Sequence, residues 1–335
     1  MKAAIRTQPL SAEEMSAPPG ADEMKAVFDQ MTDAQYKGVR GAMRIDAANG
    51  KEGPVVGITV MTHPNEPAGL APIFHYIRED RLKNLLTCGS VIFTVNNLKG
   101  GTAYFAAKSA AERLNLRLLD VNMNRLPKNV PELLADTRYE VQRTIELLPI
   151  LQEFDAGMDI HSTYTEDRPM IIHGRGPFDF LRGFPIQTVL TNMSAVHQRG
   201  IPISALYGGD AKKNIPVIGI EAGTHEGSES PVNATIATQA FLQNLGMIPG
   251  EPAADPRPKH VFRISRPLLF PNGSYRFVKV FAPLEYVKKD QILATGDGPD
   301  VISPQNGHIL FPKPAGFDTQ ESEAAFISDP SLTMA

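Results

Sequence analysis

The sequence predicts an α/β protein: a mixed, mostly parallel sheet flanked by helices, followed by a small all-β C-terminal domain. Short β-branched apolar runs, beginning at residues 55–60, alternate along the chain with segments of helical periodicity. After a Pro-rich stretch at 249–258, this pattern gives way to short alternating segments separated by turns. We therefore predict an α/β domain over residues 1–252, opening with a leader segment at 1–36, and a small β domain over 258–325.

The elements of the α/β part follow in order along the chain. Residues 39–47 alternate as an edge strand does, and Asn49-Gly50 supplies the turn into the first buried strand. Apolar runs predict buried strands at residues 55–60, 90–96, 156–160 and 216–220. Segments with 3.6-residue periodicity predict helices at residues 68–86, 131–154, 187–200 and 232–245. Strands that alternate with helices pair in parallel through right-handed crossovers. Residues 162–177 are polar and predict a loop lining a pocket.

Composition and charge narrow the classes of function. The chain has 335 residues, of which 42% are hydrophobic, and a net charge of −4, so it has a substantial core and lacks the basic surface that binds nucleic acid. The single Cys88 excludes a disulfide framework. No run approaches the roughly 18 apolar residues of a membrane span, and the N-terminus lacks the apolar core of a signal peptide. We predict a cytoplasmic protein with a small-molecule partner, no nucleic acid and no membrane; homo-oligomerisation stays open.

Two of the predicted strands run directly into histidines. His63 and Glu66 follow the first buried strand, and His161 follows the strand at 156–160. Because ligands bind at the carboxyl ends of strands in open α/β sheets, these three side chains are expected to converge. Two histidines and one glutamate form a known ligand set for catalytic zinc, with a fourth position left for water. The sequence predicts one Zn²⁺ per chain at this edge.

A zinc hydrolase also needs a carboxylate that accepts a proton from water and passes it to the leaving group. Glu221 follows another buried strand and is the natural candidate for this general base. Asp159 lies two residues before His161, on the same strand face, and either accepts the ring N–H of the ligand or is a hydrogen-bonded core carboxylate. His225 is expected not to be a ligand.

Taken together, His63-Pro64-Asn65-Glu66, residues 117–125, Asp159-Ile160-His161 and Glu221-Ala222-Gly223 resemble the succinylglutamate desuccinylase/aspartoacylase family. That family is itself similar to zinc carboxypeptidases. The resemblance covers about residues 40–245 in order and spacing, and the C-terminal β module is similar to the second domain of the family. It implies a zinc carboxypeptidase-like fold and zinc-dependent hydrolysis of an N-acyl amino acid or a related amide.

The resemblance also implies roles for individual residues. Arg117 matches an arginine that stabilises the oxyanion, while Asn124 and Arg125 match a pair that holds the substrate carboxylate. Two positions depart from the family pattern: Pro64 stands where glycine is common, and Asn122 where aspartate is common. The first departure removes a backbone N–H, and the second removes a charge that could orient the arginines.

The prediction is therefore a zinc-dependent deacylase that cleaves the amide bond of a small, carboxylate-bearing N-acyl amino acid or related amide. One alternative is a zinc carboxypeptidase acting on peptides or cell-wall fragments, which the same ligands would serve. Another is a non-catalytic binding protein on the same fold, in which the departures at Pro64 and Asn122 would reflect the loss of turnover.

The C-terminal module resembles biotinyl and lipoyl domains but has no attachment lysine at a hairpin tip, so it is expected to shape the cleft or an oligomer interface.

Overall fold

A computed structural model describes residues 8–196, 200–209, 214–251, 257–313, 323–329 and 332–333. The α-helices are α1 Ala12–Met15, α2 Ala21–Asp33, α3 Leu70–Ile77, α4 Arg81–Leu85, α5 Leu98–Ala106, α6 Ala110–Asn115, α7 Val130–Ala135, α8 Tyr139–Leu151, α9 Met193–Val196 and α10 Glu229–Asn244. Short 3-10 helices occupy Pro67–Gly69, Arg78–Asp80, Phe178–Gly183 and Ile203–Leu206. None of the helices in these ranges combines the length and the apolar character needed to cross a bilayer.

The strands are β1 Gln35–Tyr36, β2 Val39–Arg40, β3 Ala42–Asp46, β4 Val55–Val60, β5 Ser90–Val95, β6 Ala156–Thr163, β7 Met170–Arg175, β8 Thr188–Thr191, β9 Val217–Thr224, β10 His260–Leu268, β11 Arg276–Phe277, β12 Tyr286–Val287, β13 Ile292–Thr295, β14 Val301–Ile302, β15 Gly307–Leu310, β16 Ala325–Ser328 and β17 Leu332–Thr333.

One large mixed sheet organises the described residues. Its order is β12-β15-β16-β10-β8-β7-β9-β6-β4-β5-β3, with β17 also paired to β10. The strands β5, β4, β6 and β9 are parallel neighbours, so their carboxyl ends lie at one edge. Helices flank this sheet, and β11, β13 and β14 form a small separate sheet. The predicted α/β class with a small all-β C-terminal sheet is confirmed.

The centre of the sheet is packed against aromatic rings. Gly57 of β4 and Gly157 of β6 are neighbours across the ladder, and both strands are almost wholly buried. A Cβ on Gly57 would lie 2.0 Å from the Phe154 ring, and one on Gly157 would lie 2.4 Å from the Tyr207 ring. The two rings pack edge to face with their centroids 5.2 Å apart. Glycine at both positions leaves room for these rings against the backbone of β4 and β6, the strands that lead to His63 and His161.

Four of the sequence predictions are wrong in part. The predicted helix at 68–86 is interrupted between α3 and α4, where Glu79 and Asp80 have φ of 54° and 53°, and the predicted helix at 131–154 is divided into α7 and α8. Residues 187–200 are not one helix, since they contain strand β8 and the short helix α9. Residues 162–177 are not a loop throughout, since β7 pairs antiparallel with β9 there. The predicted edge strand is confirmed, because β3 lies at the end of the sheet order. Residues 252–256 of the predicted linker lie outside the described ranges, and the division into two domains stays a prediction.

Candidate active site

The loop after β4 forms a tight turn that brings His63 and Glu66 together. The Glu66 N–H donates a hydrogen bond to the His63 carbonyl at 3.1 Å, which makes Pro64 the second residue of a four-residue turn. Proline is favoured at that position because its fixed φ suits the turn and its missing N–H is not needed there. The proline is therefore compatible with the ligand geometry. It packs against Gly100 of α5, where a Cβ would lie 2.3 Å from the Pro64 ring.

His161 approaches the same carboxylate from the neighbouring strand. Glu66 Oε1 lies 2.9 Å from His63 Nδ1, and Glu66 Oε2 lies 2.7 Å from His161 Nδ1. Ligand-type atoms from all three residues lie within 4.8 Å of one another, and all three side chains are buried. The predicted convergence of these side chains at the carboxyl ends of β4 and β6 is therefore found in the structure.

The far side of each imidazole is held by an oxygen. His63 Nε2 lies 2.9 Å from Asn122 Oδ1, and His161 Nε2 lies 2.8 Å from Asp159 Oδ2. Because Asn122 Oδ1 and the Asp159 carboxylate can only accept, each ring donates its Nε2–H outward and places Nδ1 beside Glu66. A bound cation would displace any proton held between Nδ1 and Glu66 and would meet two nitrogen lone pairs and a carboxylate at one point. The donor set therefore fits a divalent metal such as zinc.

A network of hydroxyl groups fixes Asp159. Its Oδ1 accepts hydrogen bonds from Thr59 Oγ1 at 2.7 Å and Thr62 Oγ1 at 2.9 Å. The Tyr207 hydroxyl lies 2.6 Å from Thr59 Oγ1 and extends the network. Asp159 therefore fills both roles left open for it: it is a buried, hydrogen-bonded carboxylate and also the partner of the His161 ring.

Charges in this buried cluster shift the pKa values of its members. Burial, together with the nearby Arg117 guanidinium, lowers the pKa of His63 to about 4. Burial alone would lower the pKa of His161, but the Asp159 and Glu66 carboxylates raise it well above its usual value. Burial alone would raise the pKa of Glu66, but the two histidines hold it well below its usual value. The carboxylates therefore favour a proton on His161, while burial and Arg117 keep His63 neutral.

Glu221 lies beside this cluster on β9. It is the direct neighbour of His161 in the parallel ladder between β6 and β9. Its Oε2 atom is buried and receives no hydrogen bond from the described residues. Burial, reinforced by the Glu66 charge, raises the pKa of Glu221 to about 8. A carboxyl group with an unused oxygen and a pKa near neutrality is suited to exchanging a proton with a bound molecule.

The residues predicted from the Arg117–Arg125 segment reach the same place. Arg117 Nη1 donates to Glu66 Oε1 at 2.8 Å, and its buried Nε has no acceptor among the described residues. Asn124 Oδ1 is also buried without a donor. Arg125 donates to the Asn124 carbonyl at 2.7 Å and forms an ion pair with the buried carboxylate of Glu323 from the C-terminal part of the chain.

Six of the seven predicted site residues line one cavity, which encloses about 960 Å³ including space open to solvent. They are His63, Arg117, Asn124, Arg125, His161 and Glu221, and the seventh, Glu66, lies buried behind them. Lys313 also lines the cavity. Burial, with the Arg117 charge, lowers the pKa of Lys313 to about 7. The structure therefore brings the whole predicted set together and adds a cation from the C-terminal part.

Sequence reasoning missed Lys313, Glu323 and the contact of Asn122. Neither Lys313 nor Glu323 belongs to a recognisable motif, and only the pairing of distant strands brings them to the site. Asn122 does not orient the arginines through its side chain; its Oδ1 accepts from His63 Nε2 and from the Asn124 N–H at 2.7 Å. His225, expected not to be a ligand, bonds the Ser162 hydroxyl through Nδ1 at 2.8 Å.

No protein-family model and no curated protein matches the chain. Solved structures do match it in fold. Succinylglutamate desuccinylase from Vibrio cholerae aligns with a TM-score of 0.63 at 13% identity, covering 92% of this chain and 98% of that one. The enzyme of the same name from Chromobacterium violaceum gives a TM-score of 0.61 at 16% identity, covering 92% and 97%.

A third similar structure is the product-bound ectoine utilization protein EutE (DoeB) from Ruegeria pomeroyi, with a TM-score of 0.58 at 14% identity, covering 87% of this chain and 88% of that one. Because the alignments span nearly the whole of each chain, the similarity includes the C-terminal β module as well as the α/β part. The architecture implied by the sequence resemblance is thus found. The chain has the fold of the succinylglutamate desuccinylase/aspartoacylase structures.

Proposed function

We propose that this chain is a zinc-dependent hydrolase that cleaves the amide bond of a small, carboxylate-bearing N-acyl amino acid. The observation that carries the proposal is the convergence of His63 Nδ1, the Glu66 carboxylate and His161 Nδ1, with their ligand atoms within 4.8 Å of one another, beside a cavity lined by Glu221. A closed structural site would need a fourth protein ligand, so a three-residue set facing a cavity favours catalysis.

His63, Glu66 and His161 would hold the zinc ion. When bound, zinc supplies Lewis acidity, which polarises an acyl carbonyl and lowers the pKa of water. Asn122 and Asp159 keep both imidazoles in the tautomer that leaves Nδ1 available. The Arg117 contact to Glu66 Oε1 sets the orientation of the carboxylate.

Glu221 moves the proton. Its buried, unpartnered Oε2 accepts a proton from the attacking water and delivers it to the leaving nitrogen as the carbon–nitrogen bond breaks. The products are a carboxylic acid and a free amine, and the carboxylate of Glu221 is restored at the end of the cycle. Its place beside His161 in the ladder keeps it next to the ligand cluster.

The cationic side chains stabilise and orient the substrate. The unused Nε–H of Arg117 is available to the oxyanion that develops from the acyl carbonyl. Asn124 offers its amide, and Arg125 offers a guanidinium that Glu323 holds in place, to a carboxylate on the substrate. The substrate class is supported by the names of the similar proteins, which are succinylglutamate desuccinylase and succinylglutamate desuccinylase/aspartoacylase.

Two measurements test the proposal. Purified protein loaded with zinc should bind one equivalent, and a His161→Ala variant should bind far less. The loaded protein should release the acyl acid from N-acyl amino acids. Release of C-terminal residues from dipeptides instead would favour the carboxypeptidase alternative. Failure to bind zinc, with no turnover of either substrate panel, would leave the binding-protein alternative and overturn the proposal.

A further inference from the structure

The cavity beside the ligand cluster is lined by two chemically different groups of side chains. One group, called here the polar end, comprises the ionic and polar residues already described. The other group, called the apolar end, comprises Ile172, Met193, Phe311 and Phe326, which belong to or pack against one hydrophobic cluster. The proposed function uses only the polar end. The apolar end therefore needs an explanation of its own.

The four apolar residues form a continuous wall. All of them belong to, or pack against, one hydrophobic cluster built between β7, α9 and the C-terminal strands. Met193 and Phe326 are 8% and 6% exposed, and the Phe311 and Phe326 rings pack edge to face with centroids 6.5 Å apart. A rigid, packed wall of this kind is what an apolar ligand group requires in order to bury its surface.

Backbone conformation holds two members of the wall in position. Phe311 has φ of 52°, in the left-handed region that a bulky residue rarely adopts. Asn192, directly before Met193, has φ of 67°, and its side-chain amide donates to the Ile264 carbonyl at 2.8 Å. Left-handed non-glycine residues persist only where the surrounding structure fixes them, and they are enriched at ligand sites.

The wall is also joined to the polar end. Phe311, Pro312 and Lys313 are consecutive, and all three line the cavity. The Phe311 ring packs on Phe326, and the Lys313 amine interacts electrostatically with Arg117 and Glu221, so one short segment contacts both groups of side chains. A ligand that spans the cavity would contact both ends at once.

We propose that the substrate carries one anionic group and one apolar group on opposite sides of the scissile amide, and that Ile172, Met193, Phe311 and Phe326 bind the apolar group. This inference rests on the proposed function and specifies its substrate class. A second carboxylate placed at this end would lose its hydration against four apolar side chains, which is unfavourable. The apolar group is an aliphatic or aromatic acyl chain or amino-acid side chain, rather than the second carboxylate of a dicarboxylic substrate.

Two series of substrates test this inference on the zinc-loaded full chain. The first lengthens the acyl group on glycine from acetyl through butanoyl to hexanoyl, and the second lengthens the aliphatic side chain of N-acetyl amino acids. In one of the two series kcat/KM should rise about fourfold for each added methylene. N-Acetylaspartate and N-succinylglutamate serve as dicarboxylate comparators and should be poorer substrates than the best member of that series.

A pair of variants on one helix locates the apolar site. Met193→Gln places an amide in the wall at similar volume and should reduce the preference for hexanoyl or long-side-chain substrates over their acetyl or short counterparts about tenfold. Val196→Thr alters the same helix and the same hydrophobic cluster at a residue that does not line the cavity, so it should leave the preference unchanged.

Binding gives a readout independent of turnover. In calorimetry with the Glu221→Gln variant, the best long substrate should bind at least about tenfold more tightly than its acetyl counterpart, with a more negative heat-capacity change. The inference would be overturned if kcat/KM did not rise with chain length in either series and the dicarboxylates were the better substrates. It would also be overturned if Met193→Gln and Val196→Thr lost the preference for long substrates equally. Either result would leave the hydrolase proposal intact. If no N-acyl amino acid in any series is hydrolysed, the proposed function itself fails.

Discussion

His63 Nε2 and Asn122 Oδ1 lie 2.9 Å apart, and this contact joins the ligand cluster to the segment that carries the arginines. The same oxygen accepts the Asn124 N–H at 2.7 Å. An asparagine at this position fixes the imidazole with a neutral acceptor. A carboxylate in its place would make the ring a stronger electron donor to a metal.

Substitutions at Asn122 should therefore change metal affinity in opposite directions. Asn122→Asp should bind zinc more tightly than the wild type, and Asn122→Leu should bind it about 10- to 100-fold more weakly because the imidazole loses its partner. Competition with a chelator of known affinity measures both. Equal affinities in the three proteins would mean that the contact does not influence the ligand.

Glu221→Gln should abolish proton transfer without removing the ligands. We expect kcat to fall about 10²- to 10⁴-fold, while the protein keeps its full complement of zinc. Glu146→Gln, at a side chain that is 63% exposed on α8, is the matched control and should behave as the wild type. Turnover that survives in Glu221→Gln would require another base.

The convergence of the site was predictable because parallel strands end at a shared edge. His63 follows β4, and His161 and Glu221 lie near the carboxyl ends of the neighbouring strands β6 and β9, so a local pattern was enough to bring them together. Lys313 and Phe326 reach the cavity only because β10 pairs in parallel with β8 and antiparallel with β16. No periodicity in the sequence encodes that long-range pairing.

The same limitation explains the wrong helix at residues 187–200. Strand β8 is short, and its Thr188-Val189-Leu190-Thr191 run is compatible with either structure by pattern alone. Hydrogen bonding to β7 on one side and β10 on the other decides in favour of a strand. Tertiary pairing overrides local propensity here.

Arg125 and Glu323 form a buried ion pair whose side chains are 10% and 1% exposed. Glu323→Ala leaves a buried guanidinium without this carboxylate and should reduce the free energy of unfolding by about 3–5 kcal/mol. The double variant Arg125→Met/Glu323→Leu should recover most of that loss because both charges are removed. Chemical denaturation of the wild type, the single variants Arg125→Met and Glu323→Leu and the double variant measures the coupling, and additive effects would contradict a direct pair.

Gly57→Ala should destabilise the centre of the sheet. The new Cβ would lie 2.0 Å from Phe154 Cε2, and the ring is fully buried, so strands or ring must shift at a cost of about 1–3 kcal/mol or more. Gly20→Ala is the control, because its Cβ would have no neighbour closer than 3.9 Å. Urea unfolding compares the two. A similar small loss of unfolding free energy in both variants would mean that the Phe154 ring moves aside at little cost.

The ion pair between Glu14 and Arg81 should make the free energy of unfolding depend on pH in the acid range. Arg81 donates two hydrogen bonds to the Glu14 carboxylate, at 2.7 and 3.0 Å, and this contact lowers the pKa of Glu14 to about 2 from its ordinary 4.5. Because the unfolded chain binds this proton more readily than the folded one, the contribution is complete above pH 4.5 and is lost as the pH falls toward about 2. In Glu14→Gln the free energy of unfolding should be lower near neutral pH and should fall less steeply over that acid range. Parallel acid dependence in the two proteins would show that the ion pair does not tie the N-terminal segment to α4.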